Sequence, residues 1–64
     1  MNVGYSDIEV SAHREDVKDA IDRLPFWTGQ EFIDVNTSNV YVADENVDRL
    51  TDILDDKGFE WRLV

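Results

Sequence analysis

Seven carboxylates recur at helical spacing in two segments of this chain. They fall at i, i+4 and i+7 in the first segment and at i, i+3, i+7 and i+10 in the second: Glu15, Asp19, Asp22, Glu45, Asp48, Asp52 and Asp55. Side chains three or four residues apart on a helix lie about 5–6 Å apart, so each set predicts a row of negative charge. Such rows can imitate the phosphates of a nucleic acid strand and attract the arginine and lysine side chains of another protein.

No other residues have the spacing of a catalytic or metal site. His13 is the only histidine and there is no cysteine, so a transition-metal site lacks ligands. Asp44, Asp48 and Asp52 have neither the spacing nor the glycine of a calcium loop. The glycines form no phosphate-binding loop, and the serines have no base arranged beside them. We therefore expect no enzyme activity, no cofactor and no metal.

The net charge indicates the class of partner. The chain has fifteen acidic and six basic residues, for a formal net charge of -9 at pH 7. A surface this negative repels nucleic acids and anionic membranes and attracts basic protein surfaces. Two i, i+4 ion pairs, Asp19–Arg23 and Glu45–Arg49, are expected to neutralise part of the rows.

The length and the hydropathy predict one domain over residues 1–64. The chain has no secretory signal and no long apolar run, so we expect a cytoplasmic protein. In the first half, alternation predicts a strand over 5–11, and Ser11 is expected to cap a helix that stops at Pro25. A strand over 31–35, a turn over 36–39 and a strand over 40–43 follow.

The second half predicts one more helix and one more strand. Asp44 is expected to cap the helix, and Gly58 to end it in the left-handed conformation. The last strand has an apolar residue at every second position: Phe59, Trp61 and Leu63. The order β-α-β-β-α-β predicts an α+β fold, a ferredoxin-like two-layer sandwich with a four-stranded antiparallel sheet and two helices on one face. A hairpin flanked by two helices, with frayed end strands, is the alternative.

Alternation along the strands predicts which side chains face the helices. This helix-facing set comprises Ile8, Val10, Ile33, Val35, Val40, Val42, Phe59, Trp61 and Leu63. Phe32 and Tyr41 would then be exposed together on the other side, either as a patch for a partner or as an ordinary cross-strand pair. Trp27, in the loop after Pro25, is expected to cap the core, with a role as a partner anchor as the alternative.

These observations predict a small acidic protein-interaction module. The most concrete form is an inhibitor that occupies the nucleic-acid-binding surface of a basic partner, as DNA mimics and phage anti-defence proteins of the anti-CRISPR or anti-restriction type do. The two rows would bind the partner, with Phe32 and Tyr41 as anchors. Asp55 and Asp56 lie at a helix C-terminus, which disfavours acids, so something other than helix stability is expected to account for them.

Two alternative functions stay open. One is a housekeeping or regulatory ferredoxin-like domain of a salt-adapted organism, acidic for solubility alone. The other is a module that forms a homodimer through its open sheet face, around Phe32 and Tyr41. A requirement for molar salt would favour the first, and a dimer mass in solution would favour the second.

Overall fold

The computed structural model describes residues 4–64 of the chain, which form four strands, two α-helices and one 3-10 helix. A short 3-10 helix, Asp44–Asn46, precedes the second α-helix. The remaining elements in chain order are β1 Tyr5–Ser11, α1 Arg14–Asp22, β2 Thr28–Asp34, β3 Thr37–Ala43, α2 Val47–Asp56 and β4 Glu60–Leu63.

The strands form one sheet in the order β2-β3-β1-β4. Strand β1 pairs antiparallel with β3 on one side and with β4 on the other, and β2 pairs antiparallel with β3. The predicted α+β fold with a four-stranded antiparallel sheet and two helices is confirmed, and it is compatible with a ferredoxin-like arrangement. None of the helices within residues 4–64 is long and apolar enough to cross a membrane.

The core lies between the two central strands and the two α-helices. Its buried side chains come from β1, β3, α1 and α2: Ile8, Val10, Val17, Ile21, Val40, Val42, Leu50 and Leu54. Cross-strand partners point to the same side of a sheet, and Ile8 pairs with Val40, so both helices pack on this one face. Phe59 and Trp61 pack against the core at its margin, which confirms their predicted side.

The hairpin between β2 and β3 has a tighter turn than predicted. Strand β2 begins at Thr28, and the turn consists of Val35 and Asn36 alone. The backbone N–H of Asn36 donates a hydrogen bond to the Asp34 carboxylate at 2.8 Å, which closes the turn. The predicted turn over 36–39 is wrong, because Thr37 already pairs with Asp34 and β3 continues from there.

Three apolar residues of the predicted helix-facing set are exposed, two because of the bulge and the turn and one, Leu63, at a sheet edge but on the predicted side. The pairing of β2 with β3 shifts between Phe32 and Asp34, so Ile33 is the extra residue of the bulge. Ile33 and Val35 are 54% and 46% exposed. The prediction that both face the helices is wrong, because Ile33 is the extra residue of the bulge and Val35 lies in the turn after β2. Leu63 lies opposite Ile8, but β4 is the other edge and Leu63 remains exposed.

Both helices begin later than predicted. His13 caps α1 instead of Ser11, which belongs to β1, and the His13 Nδ1 accepts a hydrogen bond from the backbone N–H of Glu15 at 3.2 Å. The carboxylate of Asp44 accepts a hydrogen bond from the Ser6 hydroxyl at 2.5 Å. Asp44 thus ties the start of the 3-10 helix to β1 and makes no side-chain cap for α2.

Candidate protein-binding surfaces

The first row of carboxylates lies on the solvent side of α1. Glu15, Asp19 and Asp22 are all exposed, on the side of the helix opposite its buried residues. The predicted pair is confirmed: the Arg23 guanidinium lies 3.5 Å from the Asp19 carboxylate. Both side chains are mostly exposed, so the pair contributes only about 0.3–0.5 kcal/mol. Among residues 4–64, Glu15 and Asp22 form no ion pair.

The second row is split between two elements. Asp48, Asp52 and Asp55 are exposed on α2, whereas Glu45 is exposed in the 3-10 helix before it. The predicted Glu45–Arg49 pair does not form, because Glu45 lies outside the α-helical periodicity that would place the two side chains together. The Arg49 guanidinium instead lies over the ring of Phe26, 5.7 Å from the ring centre.

The sheet face turned away from the two helices, called here the open face, carries Tyr41. Tyr41 pairs with Gly29 on β2 and with Asp7 on β1. Phe32 pairs with Ser38, which is fully buried, so Phe32 lies on the helix side of the sheet. The prediction that Phe32 and Tyr41 are neighbours on the open face is wrong for Phe32, because the short turn and the bulge place the side chains of β2 on the opposite sides from those predicted.

Three aromatic residues form an aromatic cluster at one end of the open face: Tyr5, Trp27 and Tyr41. The Tyr5 and Trp27 rings are edge-to-face, with centroids 6.1 Å apart and an interplanar angle of 86°. A Cβ added to Gly29 would lie 3.1 Å from the Trp27 ring and 3.4 Å from the Tyr41 ring, so the two rings flank this glycine. Trp27 is 68% exposed. The prediction that Trp27 caps the core is therefore wrong.

Polar groups adjoin the aromatic cluster on the open face. Asp7 pairs with Tyr41, and Glu9 pairs with Asn39 on one side and with Arg62 on the other. The Arg62 Nε donates a hydrogen bond to Glu9 at 3.0 Å. The Oδ1 atoms of Asp7 and Asn39 are buried and have no hydrogen-bond partner within the described part of the chain. Buried acceptors without donors cost free energy, so these two oxygens lower the stability of the sheet.

The sequence reasoning omitted Tyr5 and Asn39 from the candidate site. Alternation along β1 places Tyr5 on the same side as Asp7 and Glu9. The pattern that predicts this strand therefore also predicts the side on which Tyr5 lies. No local sequence pattern predicts where Trp27 lies, because its position depends on how β2 is placed relative to β1 and β3.

The chain was compared with protein-family models, curated proteins and solved structures, and none of them matches. Within residues 4–64, no three His, Asp or Glu side chains are arranged to hold a metal ion. His13 is occupied as the cap of α1. The geometry therefore offers two surfaces for a partner, the acidic rows on the helices and the open face of the sheet.

Proposed function

We propose that this chain is a small acidic protein-interaction module that inhibits a partner by covering its basic, nucleic-acid-binding surface. One observation carries the proposal: all seven carboxylates of the two rows are exposed on the helices, and among residues 4–64 only Asp19 is paired with a base. Unpaired carboxylates keep their full charge for arginine and lysine side chains of another protein.

The finer fold proposed is the ferredoxin-like βαββαβ sandwich. The order of the elements and the position of β1 between β3 and β4 support it. In this arrangement both helices pack on one face of the sheet, so their solvent sides present the two rows on the same side of the molecule. Both helices pack on the sheet, which limits how far one row can move relative to the other.

Binding would proceed through electrostatic complementarity. Facing charges of opposite sign accelerate association and make it sensitive to salt, and they discriminate against partners of the wrong charge. Carboxylates spaced along two helices would occupy the arginine and lysine side chains that otherwise hold phosphates. The partner class is thus a nucleic-acid-binding protein, met in the cytoplasm, and the inhibitor type is that of DNA mimics directed against restriction or CRISPR systems.

The test compares two variants with the same change in charge. Asp48→Lys with Asp52→Lys reverses the centre of the second row. The control, Asp16→Lys with Gln30→Lys and Asn36→Lys, adds the same charge at exposed positions outside the rows and the open face. Asp55 stays unchanged because it accepts a hydrogen bond from Trp61. The tagged proteins are incubated with native lysate at low salt, and bound proteins are eluted by salt or by excess double-stranded DNA.

We expect the unchanged protein and the control variant to retain a nucleic-acid-binding protein that DNA displaces, and the row variant to lose it. Equal retention by both variants, or a bound protein that DNA does not displace, would contradict the proposal. Far-ultraviolet circular dichroism of each variant shows whether the fold is kept.

A homodimer through the open face is the second candidate, favoured by the exposed rings of Tyr5 and Trp27. The charge opposes it, because each copy would bring Asp7 and Glu9 to the same interface. Light scattering at increasing protein concentration separates the two: a constant monomer mass contradicts the dimer, and a dimer mass that Tyr41→Glu abolishes supports it.

A further inference from the structure

The open face has an aromatic end and an acidic middle that meet at one pair of residues. Tyr41 belongs to the aromatic cluster, and its partner across the strands is Asp7. Tyr5 lies on the same strand and the same side as Asp7. The Asp7 side chain thus adjoins Tyr41 and Tyr5, and the rings of Tyr5 and Trp27 are largely exposed.

We infer that this junction binds an arginine side chain of the partner, with the guanidinium stacked on the exposed rings of the aromatic cluster and its charge facing the carboxylates of the open face. The inference rests on the proposed function, since it takes the partner to be basic. It adds the second surface of contact, on the opposite side of the sheet from the acidic rows.

The chemistry of each component favours arginine. The faces of tryptophan and tyrosine rings attract cations, and the effect grows when the cation is desolvated. A guanidinium is planar, stacks on rings and has a fork of donors that can serve two acceptors at once. Asp7 on β1 and the exposed Glu31 on β2 supply carboxylates on the same face as the rings. A lysine ammonium has no plane to stack and is more strongly hydrated, so it fits this junction less well.

Charge complementarity also favours a basic occupant over a second copy of the chain. The open face carries Asp7, Glu9, Glu31 and Glu60, and within the described residues only Glu9 has a base beside it, Arg62. Two such faces in contact would bury like charges against each other, which costs free energy. An arginine instead brings a positive charge to a face on which, within the described residues, only Glu9 is paired with a base.

Two tryptophans allow one experiment to report on both surfaces. The Trp27 indole lies in the aromatic cluster, whereas the Trp61 indole N–H donates to Asp55 in the second row. In a nitrogen-15 NMR spectrum each indole gives its own signal. The probes are an octa-arginine peptide and an octa-lysine peptide of the same charge.

We expect octa-arginine to shift the Trp27 indole signal and the Asn39 side-chain amide signals. Octa-lysine should reach the same shift of the Trp27 signal only at a concentration roughly tenfold higher, because it lacks the stacking contribution. Equal affinity of the two peptides at Trp27, or an unshifted Trp27 signal, would overturn the arginine site. A shift of the Trp61 signal alone would leave the acidic rows as the binding surface and also overturn it.

Variants separate the site from general attraction. Trp27→Ala removes a largely exposed ring and should weaken octa-arginine binding, followed through the Asn39 amide signals, by about tenfold. The control, Phe32→Ala, removes a partly exposed ring on the other side of the sheet and should change binding by less than about twofold. Asp7→Asn, which retains the shape of the side chain, provides a second variant with weakened binding.

Failure of the arginine site and failure of the proposed function give different results. If Asp48→Lys with Asp52→Lys leaves capture of the partner unchanged, the proposed function fails whatever the peptide does. If capture depends on the rows while Trp27→Ala and Phe32→Ala bind octa-arginine equally, only the arginine site fails. A dimer mass that Trp27→Ala converts to a monomer mass would identify a second copy as the occupant and overturn the inference.

Discussion

The indole N–H of Trp61 donates a hydrogen bond to the carboxylate of Asp55 at 2.8 Å, joining β4 to the end of α2. An acid near a helix C-terminus costs about 0.3–1 kcal/mol, whereas a hydrogen bond to a charged group contributes about 1.5–3 kcal/mol. The prediction that something other than helix stability accounts for an acid at this helix end is therefore confirmed for Asp55, whose carboxylate holds β4 against the helix. For Asp56, which is exposed and has no side-chain hydrogen bond within residues 4–64, it stays a prediction.

The two adjacent aspartates should respond in opposite directions to removal. Asp55→Ala loses the bond to Trp61 and should lower the free energy of unfolding by about 1 kcal/mol, since the bond is exposed and the helix end gains from losing the charge. Asp56→Ala loses only the unfavourable charge and should raise it by about 0.3 kcal/mol. Urea denaturation followed by circular dichroism measures both, and a loss of the same size in the two variants would refute the structural role of Asp55.

A buried hydroxyl without a partner makes Ser38 a site for stabilisation. Ser38 is fully buried opposite Val10, and its Oγ has no hydrogen-bond partner within the described residues. Ser38→Ala removes the unsatisfied group and should raise the free energy of unfolding by about 1 kcal/mol. Thr51 is the control, because its buried hydroxyl donates to the Asp48 carbonyl at 3.1 Å. Thr51→Val should lower the free energy of unfolding in the same urea titration; a loss in both variants would count against the Ser38 prediction.

Substitutions at two glycines should separate an effect on the position of the Trp27 ring from an effect on the stability of the fold. Gly29→Ala brings a Cβ to 3.1 Å from the exposed Trp27 ring, so the ring should move away from Tyr5 and its indole NMR signal should shift. The free energy of unfolding should change by less than about 0.5 kcal/mol, because a surface ring can move.

Substitution of Gly58 should give the opposite result, a loss of stability without a change at Trp27. Its φ of 76° confirms the predicted left-handed end of α2, and no atom of the described residues lies within 4 Å of an added Cβ. Gly58→Ala should cost about 1–2 kcal/mol of stability through backbone strain alone and leave the Trp27 signal in place. A shifted Trp27 signal in Gly58→Ala and an unchanged one in Gly29→Ala would contradict both expectations.

The corrected side of Ile33 has a direct thermodynamic test. Leu50 is buried in the core, and Leu50→Ala should lower the free energy of unfolding by about 2–5 kcal/mol, a large part of what so small a protein has. Ile33 lies in the bulge and is more than half exposed, so Ile33→Ala should cost less than about 0.5 kcal/mol. A cost at Ile33 comparable to that at Leu50 would restore its predicted place in the core.

Salt should stabilise this protein without being required for folding. Only two ion pairs occur among residues 4–64, against a formal net charge of -9, so screening removes more repulsion than attraction. Raising sodium chloride from about 0.01 M to about 1 M shortens the screening length from about 30 Å to about 3 Å and should raise the melting temperature. An unfolded chain at low salt would favour the alternative of a domain from a salt-adapted organism.

Local patterns predicted the elements that have a strong period of their own. Strand β1 has the predicted bounds, since Ile8 and Val10 alternate with polar residues that the sheet leaves on the other side. The stripes of both helices correctly placed their apolar residues toward the core. The predicted helix caps are wrong for two reasons. The hydrogen bond of Asp44 depends on a neighbouring segment, and that of His13 depends on where the chain turns into the helix.

The sequence by itself determined the charge, the exposure of the two rows and the core side of β1, because these follow from composition and from periods within single elements. Only the tertiary structure decided which way β2 faces, and with it the positions of Phe32 and Trp27. A shift of one residue in the pairing of a strand turns every side chain to the other face, and the bulge at Ile33 that sets this pairing is a property of two strands together. The acidity of the open face therefore follows from the sequence, whereas its aromatic residues are placed there by the register of the strands.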